Sequence, residues 1–199
     1  GQRSRGRTAM KVLILGASGM LGHKLLQTLA PRFRAVGTVR GPAAEYAQHP
    51  AIGSHQLLGE VDAERFDSVV GAVAQVRPEA VINCIGLIKH LPAAQLPLPS
   101  LTLNALFPHR LAQLCRAAGV RLIHVSTDCV FSGRKGPYKE ADTSDAEDLY
   151  GRTKFLGEVA GPGCLTLRTS IIGRELKTRI GLLEWALSQR GRKIAGYAK

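Results

Sequence analysis

A strand that runs straight into a glycine turn and then into a helix leaves a chain few folds to choose from. Lys11 to Gly22, KVLILGASGMLG, has that form. Lys11 to Leu15 is a short apolar run, and the stretch from Met20 to Leu26 has helical apolar spacing. Gly16, Gly19 and Gly22 stand at the GxxGxxG spacing. That spacing lets the backbone turn sharply, approach a pyrophosphate closely and press the helix against its strand. The turn residues Gly16, Ser18, Gly19, Met20, Leu21 and Gly22 then offer amides and a positive helix end to phosphates. The spacing alone also fits an ordinary glycine-rich turn; the strand before it and the helix after it favour a dinucleotide site.

The remainder alternates strand and helix patterns. Phe33 to Val39 reads as a second strand, closed by Arg40-Gly41-Pro42. In the dinucleotide pattern an acidic residue about 20 positions beyond the glycines binds the ribose 2′-hydroxyl, whereas an arginine accepts a 2′-phosphate. Arg40 stands near that position, so the expected cofactor is NADP, with NAD as the alternative and an arginine that simply points into water as the plain reading of Arg40. His55 to Leu58 can form a short third strand, and Ala63 to Val76 has helical spacing. Asp62 suits either a contact with the adenine amino group or a helix N-cap. Ala80 to Ile85, apolar but for Asn83, is suited to a strand buried on both faces. Cys84, Ile85 and Gly86 end it, at the edge where open α/β sheets bind ligands. Residues 87–101 carry Pro92, Pro97 and Pro99 and read as a surface connection or a mobile wall. Leu103 to Ala118 is the longest helix candidate and Arg121 to Ser126 a fifth strand. The alternation implies an α/β fold, a Rossmann-type doubly wound parallel sheet.

Charge adds one more candidate and weakens it. The net charge is +12, which invites a nucleic-acid reading. The two ends hold nine of the twelve charges, with Arg3, Arg5, Arg7 and Lys11 at one of them. A solvated basic tail over residues 1–9 therefore accounts for the N-terminal part, and nucleic acid is not the expected partner. No apolar run approaches the ~18 residues of a membrane span, and no signal-peptide core follows the arginines, so the expected location is the cytoplasm. Cys84, Cys115, Cys129 and Cys164 are widely spaced, which favours reduced thiols over disulfides and gives no metal site.

Strand five runs into Ser126-Thr127-Asp128 at a carboxyl edge, and Tyr150-Gly151-Arg152-Thr153-Lys154 follows downstream. On a helix, the i,i+4 spacing puts Tyr150 and Lys154 on one face. An ammonium beside a phenol favours the phenolate and draws its pKa from about 10 toward working pH, as proton exchange with a hydroxyl or carbonyl requires. Together the glycine turn, Asn83-Cys84-Ile85-Gly86, Asn104, Ser126-Thr127-Asp128, YGRTK and Leu167-Arg168-Thr169-Ser170 resemble the extended short-chain dehydrogenase/reductase superfamily. They look most like its dTDP-4-dehydrorhamnose reductase group, where STDxVF and YGxTKxxGE segments occur in this order.

The resemblance implies an NAD(P)-dependent reductase that transfers hydride to a keto group, in this group that of a nucleotide-linked 4-keto sugar. It further implies that Thr127 hydrogen-bonds the carbonyl oxygen, that Tyr150 donates the proton, and that Lys154 tunes Tyr150 and holds the nicotinamide ribose. Asn104 matches the helix residue that supports a proton relay to the lysine. Each residue has a plain structural alternative: Thr127 as a strand-end cap, Asn104 as a helix N-cap, Tyr150 as a half-buried helix residue. Cys129 stands where the group usually has tyrosine, and Ser144 to Asp148 lacks the prolines common there, which leaves the sugar open. The expected organisation is a basic tail at 1–9, a dinucleotide-binding domain at 10–173, and the start of an incomplete, truncated substrate-binding region at 174–199. A homodimer is compatible with it. The alternative function is a non-catalytic, NADP-binding regulatory or scaffold subunit on the same fold.

Overall fold

A computed structural model describes residues 9–89, 92–177 and 181–194. The basic tail thus lies, save for Ala9, outside the described residues. Strand β1 (Lys11–Leu15) buries four of its five residues. It alternates them between two cores, Leu13 and Leu15 toward one face and Val12 and Ile14 toward the other. A side chain of this size gains about 1.5–3 kcal/mol on full burial, so this strand can sit only at the centre of a covered sheet. It does so: the six parallel strands run in the order β3-β2-β1-β4-β5-β6. The others are β2 (Arg34–Thr38), β3 (Leu57–Leu58), β4 (Ala80–Asn83), β5 (Arg121–Ser126) and β6 (Cys164–Arg168).

Helix α1 (Met20–Leu29) covers one face through Leu26, beside Tyr46 and Ile52. Helix α2 (Phe66–Val76) and the longer helix behind β4 cover the other through Val69, Val73, Phe107, Leu111 and Cys115. That longer helix starts as α3 (Pro97–Ser100), passes through a π-helical stretch (Leu101–Leu106) and continues as α4 (Phe107–Ala117). Helices α5 (Leu149–Leu156) and α6 (Leu182–Ser188) complete the set. None of the helices among the described residues is long and apolar enough to cross a membrane.

The doubly wound parallel sheet is as expected, and the differences are local. Helix α2 begins at Phe66 rather than at Ala63. The Asp62 carboxylate accepts from the Glu64 amide and the Ser68 hydroxyl accepts from the Asp62 amide, which closes a turn there first. Within residues 87–101 the connection lies at the surface at Leu96 and Leu98 and takes a short turn at Pro92–Gln95 before α3. Pro97 lies in the first turn of α3, where its missing N–H removes no helical bond.

Candidate active site

Every candidate residue belongs to the carboxyl edge of the sheet or to a helix docked on it. The first is the glycine turn. Gly16 adopts φ +80°, a conformation that disfavours any side chain, and a Cβ there would meet Ile85 Cγ1 at 3.1 Å. A Cβ on Gly22 would lie 2.1 Å from the Gly16 carbonyl oxygen, so the helix approaches the turn as closely as backbone allows. Gly19 is the N-cap of α1 and supplies no side-chain cap, and no acidic residue stands in the first turn. The leading amides and the positive helix end are left to an anion. The turn is bound to β2, with the Gly16 amide on Thr38 Oγ1 at 3.2 Å and the Ala17 amide on the Thr38 carbonyl at 2.8 Å.

Two residues past Thr38, Arg40 is exposed, and among the described residues its side chain pairs with no carboxylate. Asp62 lies past β3. It is no helix cap, since Arg65 holds that position in α2, and its carboxylate serves the Glu64 amide and Arg65 Nε at 3.8 Å. Ser18 and Leu21 lie half-buried in the turn. Met20 extends from it toward Gly173 and Gly181, so the chain after β6 returns to the glycine turn.

Cys84, Ile85 and Gly86 follow β4. A Cβ on Gly86 would stand 3.1 Å from Asn104 Oδ1 and 3.6 Å from Lys154 Nζ, so this loop is the meeting point of the two helices. Asn104 is wholly buried within the π-helical stretch and is not an N-cap. Its Oδ1 accepts from the Leu87 amide at 2.8 Å and its Nδ2 donates to the Leu87 carbonyl at 3.2 Å. Burial pushes the Cys84 thiol up to about 12, so it stays protonated and inert.

The helix bearing Tyr150 and Lys154 is held by its own motif. Asp148 caps it through the Gly151 amide at 2.7 Å and also pairs with Lys89 at 2.7 Å. A Cβ on Gly151 would meet the Cys129 carbonyl oxygen at 2.3 Å, and one on Gly157 the Asn104 carbonyl oxygen at 1.9 Å. Two bare positions six residues apart thus wedge α5 between the turn after β5 and the π-helical stretch. Glu158, just past α5, accepts from Ser126 Oγ at 2.9 Å and grips Arg168 by two bonds of 2.8 and 2.7 Å. This ties α5 to the ends of β5 and β6.

Thr127 is buried; its Oγ1 accepts from the Cys129 amide at 3.1 Å and donates to Asp128. It does cap the short turn after β5, and it also stands against Tyr150. Burial raises the Tyr150 pKa, the Thr127 hydroxyl lowers it, and Cys129, Asp128 and Asp148 raise it. The drop expected from Lys154 is therefore not found. The lysine head is turned to the Val125 carbonyl at 2.8 Å, and burial outweighs the rest. Lys154 itself is only 5% exposed, and burial depresses its pKa to about 8, against the raising influence of Glu158 and Cys84. One helical turn apart, α5 thus carries a phenol held protonated and an amine poised near working pH, two groups suited to giving up a proton and recovering it.

Asn83, Gly151, Gly157 and Glu158 stand within the quoted motifs without an expected role, and His124 stands outside them. Gly151 inside the Tyr150–Lys154 turn and Gly157 just past it were the available signal. Among the described residues no cluster of His, Cys, Asp or Glu can hold a metal ion, and all four cysteines are free.

An open parallel sheet with a bare glycine turn after its first strand, and a Thr–Tyr–Lys set at its carboxyl edge, defines a Rossmann-type domain of the extended short-chain dehydrogenase/reductase kind. The chain belongs to the RmlD substrate binding domain family, which matches residues 10–178. It is 37% identical over 149 residues to the dTDP-4-dehydrorhamnose reductase of Streptomyces griseus, across 74% of this chain and 43% of that protein. It is 30% identical over 179 residues to methionine adenosyltransferase 2 subunit beta of Danio rerio, across 84% of this chain and 49% of that protein. The chain thus spans about half the length of these curated relatives. Among solved structures, dTDP-4-dehydrorhamnose reductase from Bacillus anthracis in complex with NADP matches in fold, with TM-score 0.60 and 23% identity over 75% of this chain and 47% of that one.

Proposed function

We propose that this protein is an NADPH-dependent reductase of a keto group on a nucleotide-linked sugar, with dTDP-4-dehydrorhamnose as the model substrate. The reading is carried by two contacts at the edge of the sheet that also holds the Gly16–Gly22 turn: the Thr127 hydroxyl against the Tyr150 phenol, and Lys154 Nζ 3.6 Å from where a Cβ on Gly86 would stand. The turn fits a pyrophosphate, because α1 opens with no side-chain cap and no acidic residue in its first turn. Arg40, exposed and without a carboxylate partner among the described residues, takes the 2′-phosphate, and Asp62 borders the adenine end.

When bound, the reduced dinucleotide supplies the hydride. Thr127 orients the substrate carbonyl by donating to its oxygen, which requires its hydroxyl to turn from Asp128. Tyr150 gives its phenolic proton to that oxygen as the C–H bond forms, and the carbonyl becomes a hydroxyl. Lys154 holds the nicotinamide ribose and returns a proton toward Tyr150. Asn104 acts by fixing Leu87 and with it the loop that faces Lys154. Residues 10–173 form the cofactor domain and 174–199 belong to the substrate region; we place the protein in the cytoplasm, and a homodimer is compatible with this reading.

The experiment is NADPH oxidation with dTDP-4-dehydrorhamnose, comparing the parent with Tyr150→Phe. The expected result is turnover in the parent and a loss of at least about a hundredfold in the variant. Equal turnover in both rejects the mechanism. The similarity to methionine adenosyltransferase 2 subunit beta favours a second reading, a cofactor-binding subunit without turnover. Saturable NADPH binding with no oxidation on any keto sugar, together with a co-purifying partner enzyme, decides for it.

A further inference from the structure

Beneath the Cys84–Gly86 loop lies a buried polar pair that the proposed chemistry does not use. Asn83 ends β4, and His124 stands directly across from it in β5. Both side chains are completely buried. The Asn83 amide is engaged at both ends: Oδ1 accepts from the Ile85 amide at 3.0 Å, and Nδ2 faces His124 Nδ1 at 3.0 Å. A backbone N–H fixes which end of Asn83 is the oxygen. The amino end therefore donates to Nδ1, and the imidazole carries its hydrogen on Nε2. Nε2 has no hydrogen-bond partner among the described residues.

A buried donor without a partner destabilises a fold, so an imidazole is an unfavourable way merely to fill this space. We propose that His124 is a positioning residue for the dinucleotide loop, acting through Asn83 to hold the Ile85 amide in place. The loop has little slack. Ile85 Cγ1 lies where a Cβ on Gly16 would come within 3.1 Å, and Gly86 is flanked by Asn104 Oδ1 and Lys154 Nζ. A displaced Ile85 amide is thus felt both at the phosphate turn and at the lysine. The imidazole remains neutral and its Nδ1 remains an acceptor, because burial, then Lys154 on α5 and His109 on α4, depress its pKa to about 3.

The cofactor arm of the test rests on the NADPH reading above; the spectroscopic arm does not. Long-range 15N–1H correlation on the intact chain should find His124 in the Nε2–H form, unchanged from about pH 5.5 to 8. His124→Leu should weaken NADPH binding about tenfold and shift the Ile85 amide resonance. His124→Asn, whose Oδ1 takes the place of Nδ1, should stay within about threefold and leave that resonance near its parent position. A ring hydrogen on Nδ1, or Leu and Asn variants that are folded and behave alike, overturns the proposal. Should the parent bind no NADPH, the cofactor reading fails, and the Ile85 and ring-nitrogen signals alone decide the role of His124. Should His124→Leu fail to fold, Asn83→Asp replaces it. The carboxylate lacks a donor, so the ring hydrogen should move to Nδ1; no movement counts against the pair.

Discussion

Replacing Gly157 with alanine isolates the steric claim about how α5 is seated. The residue has φ −88° and ψ −1°, a conformation that alanine adopts without strain, so the only new term is the added methyl. That carbon would stand 1.9 Å from the Asn104 carbonyl oxygen and 2.9 Å from its carbon. Neither is the end of a flexible side chain. Helix α5 or the π-helical stretch must retreat by about 1 Å, and forced overpacking of this kind costs about 3 kcal/mol. For a chain of this size about 3 kcal/mol corresponds to a Tm lower by about 6–12 °C. Gly71, in the middle of α2, is the control, because a Cβ there meets nothing within 4 Å. Gly71→Ala should raise stability by about 0.5–1 kcal/mol through helix propensity alone. Urea unfolding of both variants beside the parent measures the contrast. A Gly157→Ala chain within about 0.5 kcal/mol of the parent refutes the close seating of α5 on Asn104.

Arg40→Asp should lower NADPH affinity about tenfold or more and improve that for NADH; titration with both cofactors checks this, and an unchanged ratio removes Arg40 as the selector. Stability near neutral pH carries the mark of Lys154. The folded-state pKa of about 8 lies below the ordinary 10.5, so the burial cost is present below pH 8 and relieved as pH rises above it, worth about 1 kcal/mol between pH 8 and 9. Cys84 and Cys115 act in the opposite sense, since both thiols rise from 9.0 to about 12 and the unfolded chain alone loses those protons. Their combined effect over the same interval is a loss of about 0.7 kcal/mol. Under reducing conditions the parent should therefore be nearly flat from pH 8 to 9, while Lys154→Met loses stability; parallel lines contradict the assignment.

The strand–turn–helix at Lys11 to Leu29 was legible because an apolar run, three spaced glycines and an amphipathic helix all bear on the same local geometry. β5 was legible for a similar reason. β6 was not, because it lies at the sheet edge with Leu165 and Leu167 half exposed, and a lightly buried pattern resembles a loop. β3 shrank to two residues since only Leu57 and Leu58 reach Gly37 and Thr38. The π-helical shift around Asn104 changes hydrogen-bond register without altering composition, so periodicity cannot reveal it. At the site, spacing put Tyr150 and Lys154 on one face but carried no information on burial, nor on the Val125 carbonyl that takes the ammonium. Burial, which spacing does not encode, raises the phenol's pKa where the spacing alone implies a drop. Asn83 and His124 pair only across strands, 41 residues apart, and nothing local announces such a contact.

The central claim is that the turn from Gly16 to Gly22 receives a dinucleotide. Titration of the intact chain with NADPH, followed by the fluorescence of the reduced nicotinamide, addresses it most directly when set beside Gly22→Ala. The parent should saturate with one equivalent, and the folded variant, with a methyl directed at the Gly16 carbonyl oxygen, should bind at least about tenfold more weakly. No saturable binding by the parent, or equal binding by the two, contradicts it.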